Sequence, residues 1–406
     1  MAKYAVEQIR NIALCGHKSS GKTTLVDKML TFTGTVNRPA SVEEGTSICD
    51  FDEEEKLHKY TIEASPVHFE YAGKRFHVID TPGYPDFVGQ AIGAMRGVDT
   101  AAIVINAQAG IEVNTRRVFA EAAKAGLGRM IVLNKMDADN IDFAALLKSI
   151  KELFGSPCVL LNVPLGHGAE FRGVASTLQP PEQVQDALVD PAEIGASLIE
   201  SIVMADEQVM ERYLEGTPPA PEEISRLIAK GMLEGSLIPM VCCSGKTGVG
   251  FGELLDALAL CAIPPDKIVR KATGAGGEEV EVRADPAGPL VAQVFKTRID
   301  PFVQKLNYIR VFSGTLKKDS TVPVVGARKG VKIAQLYQVQ ASETEPVDEA
   351  GPGGIVAVTK VEELQTGSTL GELAHPPQPQ PTPQVGQGPK PKIRGDHGQL
   401  TRAIAQ

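Results

Sequence analysis

The chain has 406 residues, too many for one ordinary hydrophobic core, so its length predicts two or three domains. Its 43% hydrophobic and 22% charged residues are typical of a globular protein. A formal net charge of −9 argues against nonspecific nucleic-acid binding through overall charge, although a local basic patch remains compatible with it. No apolar run approaches the length of a membrane span, and the charged start of the chain differs from a secretory signal. We therefore expect a cytoplasmic protein.

The cysteines point to packing rather than to chemistry. None forms a Cys-x-x-Cys pair, and no histidine spacing suggests zinc, so we predict reduced, buried thiols. The six are Cys15, Cys49, Cys158, Cys242, Cys243 and Cys261.

Short apolar runs alternate with helical patterns through the first 265 residues. This alternation predicts an α/β fold with a parallel sheet covered by helices, in which ligands bind beyond the carboxyl ends of the strands. Residues 115–126 and 142–155 have helical patterns, and the alternation breaks over about 155–235, which we interpret as an insertion. The predicted strands are residues 11–16, 76–80, 101–107, 129–134 and 237–244.

The pattern changes after residue 267. Strand-like segments separated by turns predict a β-barrel domain over 287–373. Residues 374–391 are rich in proline and predict an extended linker. The last fifteen residues are too few to complete another domain.

The stretch GHKSSGKTTL matches the pattern GxxxxGK[ST] directly after the first predicted strand. Its glycines allow a loop whose backbone N–H groups surround phosphate oxygens, and the following helix adds a favourable dipole. We predict that Lys22 reaches the β- and γ-phosphates and that the Thr23 hydroxyl binds Mg²⁺. The alternative is an ordinary glycine-rich turn. The predicted phosphate-binding residues are Gly16, His17, Lys18, Ser19, Ser20, Gly21, Lys22, Thr23 and Thr24.

DTPG, at residues 80–83, follows the second predicted strand. Asp80 at the end of that strand is placed to hold Mg²⁺ through water, and the Gly83 N–H to sense a γ-phosphate. The alternative is an aspartate that caps the next helix.

NKMD, at residues 134–137, follows another strand and predicts guanine recognition. A carboxylate at Asp137 accepts hydrogen bonds from the N1–H and N2–H₂ groups of guanine, and adenine has no such donor pair. The Lys135 stem can lie over the base, and Asn134 can tie neighbouring loops together. SGK follows the last strand, where backbone amides of Ser244, Gly245 and Lys246 are predicted to meet the guanine O6.

A GTP-controlled protein also needs a mobile loop with a threonine that binds Mg²⁺ when the γ-phosphate is present. That loop is predicted between the phosphate loop and DTPG. Thr61, just before a strand, is the first candidate, and Thr46 is the second.

Several segments together resemble bacterial elongation factor G, and in particular its divergent paralogues. They include IRNIALCGHKSSGKTTL, VIDTPGYPDFVGQAIGAMRGVD and FKTRIDPFVQKLNYIRVFSGTLKKDS. The resemblance implies an α/β P-loop GTPase domain over 1–265, with its insertion at 155–235, followed by a β-barrel second domain. It also implies that residues 392–406 are the opening of a third domain that is cut off.

The resemblance implies a translational GTPase that hydrolyses GTP to GDP on the ribosome in support of translocation. Its expected partners are the large-subunit factor-binding site and ribosomal RNA, and we expect a monomer without a membrane or DNA partner. The expected metal is Mg²⁺, bound by Thr23, Thr61 and Asp80. Lys22, Thr61 and Tyr84 are the expected catalytic residues.

Three departures from the family pattern concern hydrolysis more than binding. Tyr84 stands where the family has a histidine that positions the attacking water, and imidazoles change charge near neutral pH whereas phenols do not. The usual RGITI is HKYTI here, and Ser19 replaces a typical aspartate.

Two alternatives remain open. One is a GTP-gated ribosome-binding module with weak hydrolysis. The other is a related release-factor-recycling or ribosomal-protection GTPase. The basic residues that either approach RNA phosphates or form ordinary solvated turns are Lys317, Lys318, Arg328, Lys329 and Lys332.

Overall fold

The computed structural model describes residues 4–274, 276–300 and 304–373. The predicted linker at 374–391 and the predicted third-domain segment at 392–406 lie outside the described residues.

The first part of the chain contains β1 (Ile9–Gly16), α1 (Lys22–Phe32), α2 (Glu53–His58), β2 (Ser65–Tyr71), β3 (Lys74–Asp80), α3 (Val88–Arg96), β4 (Thr100–Asn106), α4 (Val113–Lys124), β5 (Gly128–Asn134), α5 (Phe143–Phe154), β6 (Cys158–Leu160), β7 (Asn162–Leu165), β8 (Gly173–Ser176), α6 (Pro191–Val203), α7 (Glu207–Leu214), α8 (Pro221–Glu234), β9 (Ile238–Cys242) and α9 (Phe251–Cys261).

The second part contains β10 (Arg270–Thr273), β11 (Glu279–Val282), β12 (Val291–Asp300), β13 (Gln304–Ser313), β14 (Leu316–Lys317), β15 (Ser320–Val322), β16 (Val331–Ile333), β17 (Leu336–Gln340), β18 (Glu343–Val347), β19 (Glu349–Ala350), β20 (Ile355–Thr359) and β21 (Thr369–Gly371).

The first part is built on a seven-stranded sheet in the order β2-β3-β1-β4-β5-β9-β6, parallel except for β2. Strand β1 lies between β3 and β4, so the chain crosses to opposite sides after it and leaves a crevice at its carboxyl end. The five predicted strands are β1, β3, β4, β5 and β9, and the two predicted helices are α4 and α5. The predicted fold class is therefore confirmed.

Two strands of this sheet are not among the five predicted from their apolar runs, although the position of Thr61 just before a strand agrees with β2. Strand β2 begins Ser65-Pro66 and lies at an edge, where a proline is tolerated. Strand β6 has only three residues, too few for a periodic pattern, yet it pairs in parallel with β9. The segment 155–235 therefore also contributes to the main sheet.

Capping residues set the helix starts in the region after β5. The Asp142 carboxylate accepts a hydrogen bond from the Ala145 N–H at 2.9 Å at the start of α5. Asp190 caps α6 in the same way, and Pro191 takes the first helical position, where its missing N–H costs nothing. Pro191 and Pro221 thus begin helices rather than interrupt them.

Helices cover both faces of the sheet. Leu25 of α1 and Leu254 of α9 belong to the core on one face. On the other face, Met95 of α3 and Val118 of α4 belong to a core that also includes Phe295 of β12. The second core therefore continues from the first domain into the β domain.

The β domain is built on a six-stranded antiparallel sheet in the order β18-β17-β20-β13-β12-β21, with a separate core. The pairing of β12 with β13 shifts between Val294 and Lys296, so Phe295 forms a bulge. Its ring packs against Gly97 at the end of α3.

A buried charge network joins the two domains. Asp99, just before β4, accepts hydrogen bonds from Arg310 Nη2 at 2.8 Å and Arg270 Nη2 at 2.6 Å. The Asn11 side chain donates a third at 2.8 Å. Burial by itself raises the pKa of Asp99, but Arg310, Arg270 and Asn11 outweigh it and lower that pKa. Asp99 is therefore ionised and fully paired.

A second contact lies at the free edge of β2. The Ala341 N–H donates to the Pro66 carbonyl at 2.9 Å, and the His68 N–H donates to Gln340 Oε1 at 2.9 Å. His68 Nδ1 lies 2.9 Å from the Val339 carbonyl oxygen. The end of β17 therefore covers the edge of the main sheet.

All six cysteines are buried and have free thiols. Burial raises the pKa of Cys15 to about 12, which makes this thiol a poor nucleophile. In the described ranges, each helix lacks either the length or the apolar character that crossing a bilayer requires.

We expect Arg310→Met to lower the free energy of unfolding by about 3 kcal/mol, because it leaves the buried Asp99 short of one cation. The stabilisation from ionised Asp99 is complete above its unfolded pKa of about 4 and is lost as the pH falls through its lower folded pKa. The difference in unfolding free energy between the wild type and Arg310→Met should therefore be largest at neutral pH and shrink in acid. Urea unfolding monitored by circular dichroism measures it.

Arg283→Met is the matched control, because Arg283 pairs with Glu281 of β11 at the surface. This variant should unfold close to the wild type. An equal loss in both variants would contradict the importance of the Asp99 network.

Candidate functional site

The phosphate loop lies between β1 and α1, at the crevice described above. Gly21 is the residue before α1 and has φ of 90°, a conformation that side chains disfavour. A Cβ added at Gly21 would lie only 2.4 Å from Asn134 Nδ2. Position 21 therefore requires glycine both for its backbone conformation and for the close approach of Asn134.

Lys22 bends back over this loop. Its ammonium donates to the His17 carbonyl at 2.9 Å, and the Ser20 hydroxyl donates to the same oxygen at 2.9 Å. Lys22 is 5% exposed, and burial lowers its pKa, although the nearby Asp80 carboxylate acts in the opposite direction. The Lys22 ammonium is therefore held against the loop that precedes α1.

Thr23, Thr61 and Asp80 meet at one point, although they belong to three separate loops or elements. The Thr23 hydroxyl donates to Asp80 Oδ2 at 2.8 Å, and the two threonine hydroxyl oxygens lie 2.9 Å apart. Thr61 Oγ1 is 3.5 Å from Asp80 Oδ2. The second candidate, Thr46, is exposed and bonded locally to Ser41, away from this cluster.

Burial raises the pKa values of three carboxyl groups around this cluster. Burial, aided by the neighbouring Asp50 charge, raises the pKa of Asp80 to about 8. Burial likewise raises the pKa of Asp50 and of Asp27 to about 6 each. Among the described residues, no atom lies within hydrogen-bonding geometry of Asp80 Oδ1, and the interaction with the Thr61 side chain only partly offsets the effect of burial on the pKa of Asp50.

These residues fit a hydrated Mg²⁺ ion. Buried carboxylate oxygens and two hydroxyls are the hard oxygen ligands that Mg²⁺ prefers, and the ion keeps several of its waters. Within the described ranges, no group of three or more His, Cys, Asp or Glu side chains could hold a metal ion.

Asn134 connects the phosphate loop to the loop after β9. Its Nδ2 donates to the Ser20 carbonyl at 2.9 Å, and its Oδ1 accepts from the Gly245 N–H at 2.9 Å. Asn134 is 1% exposed. One side chain thus sets the separation between the phosphate-binding and base-binding loops.

Asp137 and the SGK loop lie together. The Ser244 hydroxyl donates to Asp137 Oδ1 at 2.6 Å, which fixes the carboxylate beside this loop. The Ser244 N–H donates to the Val249 carbonyl oxygen, and the Gly245 N–H donates to Asn134 Oδ1. Of the three predicted amides, that of Lys246 alone has no acceptor within the described residues.

The DTPG loop packs directly on the phosphate loop. A Cβ added at Gly83 would lie 2.6 Å from Lys18 N and 2.7 Å from the His17 oxygen, so no side chain fits there. The Asn114 side chain donates to the Gly83 carbonyl at 3.0 Å and lies 3.4 Å from the Gly16 carbonyl. Asn114 thus joins the two loops.

The Tyr84 ring contacts two neighbouring side chains. Its ring centroid is 4.5 Å from that of Tyr60 and 4.9 Å from Lys18 Nζ. Tyr60 also contacts His58 and Phe87, with ring centroids 5.5 Å and 6.4 Å away. The side chain after DTPG is therefore in contact with the segment that carries Thr61.

A cavity of about 300 Å³ lies between these loops. A larger cavity of about 920 Å³ between the domains contains none of the predicted site residues. The predicted residues that line the smaller cavity include Lys18, Ser19, Thr24, Thr61, Tyr84 and Lys135.

The sequence patterns do not indicate that Asn114, Asp50, Glu55 or Tyr60 belong to the site. Asp50 and Glu55 lie in the acidic run DFDEEEK, where they look like surface charges, although both are buried. The only sequence signal was the position of this run, immediately before the predicted Thr61 loop.

The fold and this site define a nucleotide-binding protein of the P-loop class. Residues 7–264 match the family model for the elongation factor Tu GTP binding domain, and residues 289–373 match that for elongation factor G domain 2. The first match covers more than half of the chain, so the chain belongs to the translational GTPases that contain this GTP-binding domain.

A solved structure is also similar. The crystal structure of a protein from Thermus thermophilus aligns with 98% of this chain at 29% identity, with a TM-score of 0.79. The alignment covers 60% of that protein, so this chain spans about three fifths of its length.

We expect Asn134→Ala to weaken GTP binding about tenfold or more, because it removes both hydrogen bonds that set the spacing of the two loops. Isothermal titration with GTP in the presence of Mg²⁺ measures the change. Asn37→Ala, at an exposed asparagine, is the control and should bind like the wild type. Unchanged affinity in Asn134→Ala would show that the loops keep their spacing without this side chain.

Proposed function

We propose that this chain binds GTP with Mg²⁺ and hydrolyses it on the ribosome, in support of translocation, as a protein like elongation factor G. The observation that carries the proposal is the meeting of Thr61 with Thr23 and Asp80. A threonine that reaches this pair from a separate loop can report on whether a metal-bound triphosphate is present.

The proposed mechanism is positioning with charge stabilisation. The backbone of the phosphate loop and the Lys22 ammonium hold the β- and γ-phosphates, while the Gly83 N–H faces the γ-phosphate. Mg²⁺, held by Thr23, Thr61 and, through water, Asp80, would neutralise charge that develops on the phosphate oxygens. Water then attacks in line, and no covalent intermediate is needed.

Ribosomal action is supported by the two family matches and by the second domain. We also propose that the basic turns of that domain approach RNA phosphates, although Lys318 is already paired with Asp348 at 2.6 Å. Intrinsic hydrolysis should be slow, and the ribosome should supply the missing stimulation. A release-factor-recycling or ribosomal-protection role is the related alternative.

A GTP-gated ribosome binder with weak hydrolysis is a second candidate. The contacts of the Tyr84 ring with Tyr60 and Lys18 favour it, because they engage this side chain within the protein. A phenol can orient water by a hydrogen bond but cannot take its proton as an imidazole can.

The first test is GTP hydrolysis by the 406-residue chain with and without ribosomes, in parallel with a GTP titration. We expect GTP binding and a ribosome-stimulated rate. We expect Tyr84→His to raise that rate about tenfold, a modest gain for a general base. Strong binding without stimulation would favour the GTP-gated binder, and absence of binding would contradict the whole proposal.

Tyr213→His is the control for this substitution, since Tyr213 lies on α7 and takes no part in the site. It should leave hydrolysis unchanged. An equal gain in both variants would indicate an effect unrelated to the attacking water.

We expect Asp137→Asn to weaken GTP binding by about 100-fold or more and to improve xanthosine triphosphate binding. Xanthine has a carbonyl in place of the 2-amino group, so an amide N–H at position 137 has an acceptor there. Competition titrations with the two nucleotides measure this exchange. The control is Asp139→Asn at a neighbouring aspartate, and similar losses in both variants would argue against base recognition by Asp137.

A further inference from the structure

Residues 50–64, here called the Thr61 segment, contact the second domain directly. The contacts come from Lys296 and Arg298 of β12. These side chains are two positions apart, so they extend from the same face of the strand. The bulge at Phe295 immediately precedes them and is fixed against Gly97, which sets where that face points.

Lys296 holds the end of the segment that follows Thr61. Its ammonium donates to Glu63 Oε2 at 2.8 Å and to the Ala64 carbonyl at 2.7 Å. Lys296 is 7% exposed, so its two hydrogen bonds compete little with water. Both acceptors lie within three residues of Thr61.

Arg298 holds the other end of the segment. Its Nη2 donates to Asp52 Oδ1 at 2.6 Å, and its guanidinium carbon lies 4.3 Å from the centroid of the Phe51 ring. Its Nε lies 3.7 Å from Glu63 Oε2, so it also approaches the Lys296 end. Two cations of one strand therefore hold both ends of the segment.

The buried Glu55 carboxylate connects the two ends of the Thr61 segment by hydrogen bonds. Glu55 Oε1 accepts hydrogen bonds from the Ile62 N–H at 2.9 Å and the Glu63 N–H at 3.1 Å. Glu55 Oε2 accepts the Asp52 N–H at 3.3 Å. Because these bonds enclose Thr61, a shift at either end of the segment displaces the Thr61 hydroxyl.

We propose that Lys296 and Arg298 are positioning residues that hold Thr61 against Thr23 and Asp80 and thereby favour the GTP-bound state over the GDP-bound state. The inference rests on the proposed function, in which Thr61 reports on the γ-phosphate and its metal. By thermodynamic linkage, the same contacts must tighten when GTP binds, so the second domain responds to the nucleotide through β12.

The test compares titrations of a nonhydrolysable GTP analogue and of GDP, both with Mg²⁺, for the wild type, Lys296→Met and Arg298→Met. We expect each variant to lose about tenfold in affinity for the analogue, within the usual range of coupling between sites. GDP affinity should stay within about twofold, since GDP has no γ-phosphate for the Thr61 segment to sense.

Trypsin gives a second readout, because Lys59 in the segment is exposed. The analogue should slow cleavage after Lys59 in the wild type and protect less in both variants. Arg298→Lys should retain part of the selectivity, because it keeps the charge but loses the planar stacking on Phe51. Controls are Lys271→Met and Arg283→Met, whose exposed ion pairs with Glu279 and Glu281 belong to the separate β10–β11 sheet and its end.

If the β12 variants fold poorly, Glu63→Gln is the alternative variant. It weakens the contact with Lys296 by changing the acceptor, and the Glu63 side chain is partly exposed. It should lower analogue affinity several-fold and spare GDP. Equal losses for both nucleotides, or no loss, would overturn the positioning role while leaving GTP binding intact. Failure of the wild type to bind either nucleotide would instead overturn the proposed function, and this inference with it.

Discussion

The buried Asp99 carboxylate is the constraint on which the arrangement of the two domains depends. A charge with no exposure needs cations, and both guanidinium groups that serve it come from residues after the first domain. Arg310 lies on β13, which pairs with β12, so this ion pair also fixes the strand that faces the Thr61 segment. The position of a loop at the nucleotide site thus depends on a charge pair at the opposite end of the sheet.

The sequence predicted the site where local geometry determines it. The phosphate loop, DTPG, NKMD and SGK follow β1, β3, β5 and β9, and parallel strands bring their carboxyl ends to one edge. Once these strands are recognised in the sequence, the convergence of the four loops at one edge follows. The short β6 is missing from the predicted strands, and β2 is indicated only by the position of Thr61, but neither strand carries one of these four loops.

The sequence did not predict the contacts between distant parts of the chain. Asp52 and Arg298 are 246 positions apart, and neither has a local pattern that indicates its partner. Asn114 is similarly ordinary in sequence, yet it joins two loops because α4 begins beside them. Such residues owe their role to packing, which decides which polar side chains become buried and which partners they meet.

The covered edge of β2 bears on how the protein can be divided. Without the β domain, the outer backbone groups of β2 lose their cover near Pro66 and His68, and an open strand edge invites pairing with other chains. Part of the core around α3 also loses Phe295. By covering this edge, the second domain protects the first from pairing with other chains. An isolated GTP-binding domain would therefore tend to self-associate through β2.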